Sequence, residues 1–189
     1  MLSAYRIGIG FLIALMPLVL APSGCDLPWL NPSPPSGLTV NLQVDAETTD
    51  TEGLNKMMAE LEARGIHTTI FVTADYVNTG NNLLIRSFYQ QGHEIALHGY
   101  YTAETLTSMT YEDQLDLLTR AKDALDGCSP CGTDMPITGF RPQYFSQNED
   151  TYKVLESLGF EYNCGFKAGV QYIEGHEQDA APYAVSTAD

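Results

Sequence analysis

Positive charge is scarce in this chain of 189 residues. Nine Lys and Arg residues stand against 24 Asp and Glu residues, which gives a formal net charge of −15 at pH 7. A surface of this sign repels phosphate, so nucleic acid binding through phosphate neutralisation is excluded. We interpret the acidity first as a source of solubility and second as an affinity for cationic glycans.

The chain also lacks an apolar run long enough to span a membrane comfortably. Residues 7–21 form an almost uncharged run of about 15 residues, whereas a span needs about 20. We therefore predict that residues 1–25 are a secretory signal and that the protein is exported, either to the extracellular space or to a membrane-anchored position in the cell envelope. The run ends near Cys25, as a lipoprotein signal would, but Pro22 replaces the expected aliphatic residue. A lipid anchor at Cys25 and plain cleavage both stay open.

Cysteine is too sparse, at four residues, to build a disulfide scaffold. Cys128 and Cys131 follow a predicted helix, without the further ligands of a zinc site and without the strand-to-helix context of a redox motif. We expect a local disulfide between them rather than free thiols. Cys164 is predicted to be a buried apolar residue. A thiol–disulfide function is therefore the least supported hypothesis.

Alternating strand-like and helix-like segments follow a Pro/Ser-rich linker at residues 26–37. Strands are predicted over residues 38–44, 67–72, 94–97, 137–140 and 160–166, with helices over 53–64 and 83–91 and after Thr110 and Asn148. In the first strand the apolar side chains share one face, and Gln43 and Asp45 share the other. Strands separated by helices predict parallel βαβ units, and thus an α/β domain over residues 38–189.

Side chains suited to metal binding and charge stabilisation follow three of these strands. Asp45 ends the first, His98 follows the third and Arg141 follows the fourth. The carboxyl ends of parallel strands meet at one edge of a sheet, so we expect these side chains to lie close together. Zinc hydrolases use three protein ligands and one open position. Asp45 and His98 are the candidate ligands.

The three segments together resemble the motifs of the polysaccharide deacetylase family of carbohydrate esterases, over residues 38 to about 173. The resemblance implies a distorted (β/α) barrel, of which about five β/α units are present here. It also implies a divalent metal, with zinc as the first choice, and removal of N-acetyl or O-acetyl groups from an acetylated polysaccharide. His176 comes too early for the family's late general acid. The chain is therefore expected to be a fragment, a shortened relative completed by a partner, or an eroded pseudoenzyme.

Four residues match the family's motifs directly. Asp45 is similar to the metal-binding aspartate and His98 to the first metal-binding histidine. Arg141 is similar to the arginine that orients the catalytic base, and the backbone near Tyr144 to the oxyanion support. In a second alignment Asp45 becomes the base and Ala46 falls on the metal position, which keeps less of the chemistry.

Two residues depart from the pattern. Gln43 stands where the family has the aspartate that acts as the catalytic base, and an amide does not titrate in the useful range. Thr102 stands where the family has its second metal-binding histidine. Glu47 is the candidate to replace the base, provided that the turn after the first strand brings it inward. A water molecule, Glu47 or Glu104 is the candidate third ligand.

The same departures support an alternative function, a catalytically inactive glycan-binding envelope protein on this scaffold. Gln43 and Thr102 both replace titrating or metal-binding groups with neutral hydrogen-bonding ones. Aromatic side chains near the strand ends could stack on sugar faces: Tyr100, Tyr101, Tyr144 and Phe145. Retention of metal and release of acetate distinguish the enzyme from the binding protein.

Overall fold

The computed structural model describes residues 40–47, 50–126, 135–166 and 173–179. All of them belong to the unit that begins at Val40. The predicted signal and linker, Cys25, and the Cys128–Cys131 pair lie outside the described residues. Within the described ranges, no helix is both long enough and apolar enough to cross a membrane.

Five parallel strands form one sheet, and their order in space is their order in the chain. They are β1 (Gln43–Ala46), β2 (Thr69–Val72), β3 (Glu94–Leu97), β4 (Gly139–Phe140) and β5 (Tyr162–Asn163). Right-handed crossovers that always advance in one direction place the helices on one face of the sheet, as in a barrel, whereas a doubly wound sheet reverses its strand order. The predicted α/β fold, with five units of a distorted β/α barrel, is confirmed.

The helices are α1 (Thr51–Glu62), α2 (Ala74–Tyr76), α3 (Asn82–Gln90), α4 (Tyr111–Asp126) and α5 (Glu149–Ser157). The predicted cap at Asn148 is confirmed, because its side chain accepts the backbone N–H of Thr151 in a capping box. The Thr110 hydroxyl accepts the N–H of Asp113 at 3.2 Å in the same way. Caps of this kind stabilise a helix by about 1 kcal/mol each.

The two faces of the sheet have different roles. One face is apolar and is buried against the helices through Ile70, Val72, Ile95, Leu97 and Phe140. The other face carries Gln43 and Asp45, as the predicted alternation of β1 requires. β2 is buried along its whole length, because both of its faces are covered. The polar face therefore points away from the helices, toward the position of a barrel lumen.

The predicted limits of the first and last strands are wrong. β1 begins at Gln43 because its only paired neighbour, β2, begins at Thr69, which is in register with Gln43. Val40 is 69% exposed and Leu42 is 37% exposed, since no strand of the described residues lies beside them to cover their side chains. At the other edge, the predicted strand 160–166 shortens to the two residues that pair with β4.

Candidate active site

The carboxyl edge of the sheet brings the predicted site residues together, with His98 and Arg141 at one level of the backbone ladder. The N–H of His98 donates to the carbonyl of Val72 at 2.9 Å, and the N–H of Arg141 donates to the carbonyl of Leu97 at 2.9 Å. His98 therefore extends the backbone pairing of β3 with β2 by one residue, and Arg141 does the same for the pairing of β4 with β3. The Asp45 backbone lies two positions before this level, in register with Phe71 and Ala96, and its carboxylate contacts Arg141.

Arg141 connects the two polar side chains of β1. Its Nη1 donates to Asp45 Oδ1 at 2.7 Å, and its Nη2 donates to Gln43 Oε1. The guanidinium carbon also lies 4.1 Å from the centre of the Phe71 ring, a distance at which the cation is attracted to the ring face. Arg141 is thus fixed from two directions, and it holds Gln43 and Asp45 side by side.

His98 is buried and held in one tautomer. Its Nδ1 lies 2.8 Å from the carbonyl oxygen of Arg141. A carbonyl can only accept, so Nδ1 carries the proton and the Nε2 of the neutral ring has a free lone pair. Nε2 lies 3.6 Å from Glu47 Oε2 and 3.9 Å from Asp45 Oδ2. Both carboxylates therefore lie near Nε2 at distances too long for a hydrogen bond, an arrangement that a shared cation or proton would stabilise.

The turn after β1 brings Glu47 inward, which the sequence left open. Gln143 Nε2 donates to Glu47 Oε2 at 2.6 Å and to the carbonyl of His98 at 3.2 Å. Thr102 Oγ1 donates to the backbone carbonyl of Glu47 at 2.8 Å. Sequence reasoning missed Gln143. Its place between Arg141 and Tyr144 was the available signal, and its almost complete burial explains why its amide is fully used.

Glu104, the other candidate ligand, has a different task. Its Oε2 accepts the N–H groups of Tyr100 and Tyr101, each at 3.0 Å. Burial raises the pKa of Glu104, and the two backbone hydrogen bonds oppose that rise. Its Oε1 lies against Gly99, where an added Cβ would be 2.0 Å away. Glu104 therefore shapes the loop that follows His98.

Tyr144 lies in the turn Gln143–Phe145 directly after Arg141-Pro142. Its φ is 53° and that of Phe145 is 56°, so two successive residues other than glycine adopt the left-handed conformation. Backbone of this kind is costly and is concentrated at functional sites. The Tyr144 side chain is 72% exposed. The oxyanion role of its backbone stays a prediction.

Cys164 is a neighbour of the site that the sequence did not indicate. Gln43 Nε2 contacts its sulfur at 3.7 Å. Burial raises the pKa of the Cys164 thiol, while Arg141 and Gln43 oppose the rise. His176, which the sequence excluded as a general acid, instead lies 2.7 Å through its Nδ1 from Asp179 Oδ2.

The donor set of the site fits a divalent cation, although the side chains are slightly too far apart as they stand. In the described part of the chain, no three His, Cys, Asp or Glu side chains already form a metal cluster. Zinc bonds of about 2.0–2.1 Å place two tetrahedral ligands about 3.3–3.5 Å apart. The separations of 3.6 and 3.9 Å at His98 Nε2 exceed this by only a few tenths of an ångström. The two carboxylates of Asp45 and Glu47 stand against the single guanidinium of Arg141, which also favours a cation.

The sequence model described as polysaccharide deacetylase matches residues 33–163. The chain belongs to the polysaccharide deacetylase family. The resemblance found in the motifs is therefore confirmed. No curated protein sequence matches this deacetylase-family chain.

Solved structures of family 4 carbohydrate esterases are similar to it. An esterase from Streptomyces lividans, solved with acetate, is 25% identical with a TM-score of 0.54, over 65% of this chain and 60% of that one. A peptidoglycan N-acetylglucosamine deacetylase is 18% identical with a TM-score of 0.58, over 69% and 57%. A family 4 pseudoenzyme from Bacillus anthracis is 14% identical with a TM-score of 0.56, over 65% and 42%. A mutant of that pseudoenzyme has restored enzymatic activity.

The deacetylase-family chain spans about three fifths of the length of the first two structures and less than half of the third. Both active and inactive proteins therefore share this fold. The chemistry of the site residues, rather than the fold, has to distinguish an active enzyme from an inactive one.

Proposed function

We propose that the protein is a divalent-metal-dependent deacetylase of an acetylated polysaccharide, and that Asp45 and His98 are metal ligands. The observation that supports this most directly is the orientation of His98. The Arg141 carbonyl fixes its Nδ1 at 2.8 Å, so that Nε2 is presented to two carboxylates. Metal-binding histidines are commonly oriented in this way by a hydrogen bond from the other ring nitrogen.

Asp45 divides its two oxygens between the two halves of the site. Oδ1 accepts from Arg141 at 2.7 Å, and Oδ2 faces His98 Nε2 at 3.9 Å. The Asp45 side chain is 39% exposed and that of His98 is 6% exposed, so a cation could enter from solvent and reach the buried nitrogen. When bound, the cation would supply the Lewis acid that activates water and polarises the acetyl carbonyl.

The chain's own residues would then bind the substrate and stabilise the negative charge that develops on the acetyl oxygen during the reaction. The positive guanidinium of Arg141 and the strained backbone at Tyr144 lie directly after β4, beside the ligands. Backbone N–H groups held in advance at such a position stabilise an oxyanion without reorganising. Exposed aromatic rings nearby offer flat apolar faces to a sugar: Tyr101, Tyr144 and Phe145.

We base the proposed substrate class on the names of the similar structures, and the proposed location on the predicted signal. The names of the similar structures refer to carbohydrate esterase and peptidoglycan deacetylase activity. Together with the signal predicted over residues 1–25, this favours an extracellular or envelope polysaccharide. Of the two outcomes left open at Cys25, a lipid anchor would hold the protein at a membrane surface and plain cleavage would release it.

The second candidate is a glycan-binding protein that does not turn its ligand over. Gln43 favours it, because the amide occupies the expected base position and accepts a hydrogen bond from Arg141. An amide cannot take a proton from water, and a general base contributes about 10²- to 10⁴-fold to a rate. A pseudoenzyme with the same fold exists, and its activity is restored in a mutant.

Zinc content and acetate release of the full chain test the proposal together. We expect about one zinc per chain and slow, chelator-sensitive release of acetate from chitooligosaccharides or peptidoglycan. Asp45→Asn and His98→Gln should lose both properties. Glu161→Gln, on the exposed residue before β5, is the matched control. Zinc binding and glycan binding without any acetate would favour the second candidate, and absence of zinc from the folded wild type would refute the metal-dependent function.

A further inference from the structure

We infer that Glu47 is the third metal ligand of this protein, in place of the second histidine that its family would supply at Thr102. The inference rests on the proposed metal-dependent function and concerns the chain's own residues. It also assigns Glu47 to the metal rather than to proton transfer, the catalytic role that the sequence suggested for it.

The first observation is the position of the Glu47 carboxylate. Its Oε2 is 3.6 Å from His98 Nε2, closer than the 3.9 Å of Asp45 Oδ2, the ligand that the motif predicts. Both carboxylates therefore approach the same lone pair. A tetrahedral ion would require ligand separations of about 3.3–3.5 Å, so Glu47 needs the smaller movement of the two.

The second observation is what has happened at Thr102. A threonine hydroxyl is a poor zinc ligand. Here the Thr102 hydroxyl donates a hydrogen bond to the backbone carbonyl of Glu47 at 2.8 Å. Thr102, which stands in place of the expected histidine, therefore holds the main chain of Glu47. Glu47 would then take over the ligand role of that histidine. Thr102 is 55 positions away in sequence, so this contact exists only in the folded chain.

The third observation concerns the remaining support of Glu47. Gln143 Nε2 donates to Glu47 Oε2 at 2.6 Å, and the Oε1 of Gln143 accepts the N–H of Ala103 at 3.3 Å. Ligating carboxylates are usually hydrogen-bonded by neighbours of this kind. Gln143 is neutral, so it orients the carboxylate without cancelling its charge.

The alternative candidates for the third ligand are weaker. Glu104 spends Oε2 on two backbone N–H groups, and its other oxygen is packed against Gly99. Gln43 is bonded to Arg141, and an amide is a poor zinc ligand. Among the described residues around His98, Glu47 is therefore the carboxylate besides Asp45 that is both oriented and partly accessible.

Metal affinity of the full chain, stripped of metal and then titrated with Zn²⁺ or Co²⁺, tests this assignment without relying on turnover. Changes in the residues that hydrogen-bond to metal ligands cost by themselves about 10- to 100-fold in metal affinity, so Glu47→Gln should weaken binding by at least about 100-fold. The intensity of the Co²⁺ visible absorption should fall as well, because one ligand oxygen is lost. Glu104→Gln is the matched control and should bind like the wild type.

Rescue supplies a second test. The double variant Glu47→Gln/Thr102→His should bind the metal at least tenfold more tightly than Glu47→Gln alone, because the new imidazole supplies a ligand. If Glu47→Gln does not fold, Glu47→Asp keeps the charge but shortens the reach, and it should weaken binding by about tenfold.

The outcomes separate this inference from the proposed function. If Asp45→Asn and His98→Gln lose metal while Glu47→Gln binds normally, the inference is wrong and the proposed function stands. If the folded wild type binds no Zn²⁺ or Co²⁺, both fail. Loss of affinity in Glu47→Gln, with normal binding by Glu104→Gln, supports the assignment.

Discussion

Arg141 donates a hydrogen bond from one arm of its guanidinium to Gln43, so the residue at the position expected for the base is a neutral amide that is already hydrogen-bonded. The other arm of the same guanidinium holds Asp45. Arg141 therefore holds the side chains at the positions expected for the base and for one metal ligand next to each other.

Gln43→Asp should raise acetate release by about 100-fold or more, because it supplies a carboxylate where a general base contributes about 10²- to 10⁴-fold. Arg141 would keep the new carboxylate ionised, as an opposite charge at hydrogen-bonding distance does. Acetate is measured under saturating zinc. Gln43→Asn has the same length without the charge and should show no gain. Equal rates for the two variants would contradict the assignment of Gln43 to the base position.

Arg141→Lys should lower the free energy of unfolding by about 1–2 kcal/mol and reduce acetate release at least tenfold. A lysine keeps the charge but loses the two-armed geometry, and it also loses the planar contact with Phe71. Urea denaturation measures the first effect. Arg64→Lys is the control, since Arg64 forms an exposed pair with Glu60 that contributes at most about 1 kcal/mol. A similar loss in both variants would argue against a special role for Arg141.

Glu104→Gln should flatten the pH dependence of stability. Burial raises the pKa of Glu104 above its ordinary range in the folded state. The folded protein therefore binds this proton more tightly than the unfolded chain. The resulting stabilisation is complete below the unfolded pKa of about 4.3, and it is lost as the pH rises through the folded pKa.

Denaturation midpoints between pH 4 and pH 8 measure the effect. The wild type should lose stability through this window relative to Glu104→Gln, whose amide oxygen can still accept from Tyr100 and Tyr101. Glu52→Gln is the control, because Glu52 is exposed in α1 and is paired only with Lys56. Parallel curves for the wild type and Glu104→Gln would show that Glu104 does not titrate in this range.

Gly99→Ala should destabilise the loop after His98 more than the same change at another left-handed glycine. Gly99 has a φ of 88°, and an added Cβ would lie 2.0 Å from Glu104 Oε1. Gly159 has a φ of 73° and open space around it, so Gly159→Ala should cost only the backbone strain of about 1–2 kcal/mol. Urea midpoints compare the two variants. An equal loss would mean that Glu104 moves aside without cost.

The sequence determined the strand and helix order and the polar face of β1. Period-two alternation, together with Asp45, His98 and Arg141 after successive strands, was enough, because parallel strands must bring their carboxyl ends to one edge. The family motifs are local strings, and they identified the same residues. The limits of β1 were not predictable in this way, since they depend on where its neighbour β2 begins.

The way in which the folded chain accommodates Gln43 and Thr102, the two departures from the family pattern, could not be read from the sequence. Whether Glu47 turns inward depends on contacts with Thr102 and Gln143, which lie 55 and 96 positions away in the chain. The tautomer of His98 depends on a carbonyl 43 positions away. No local pattern encodes such contacts, because they form only when the sheet has brought its strand ends together. The sequence therefore identified the candidate ligands, and the fold shows how their side chains are oriented.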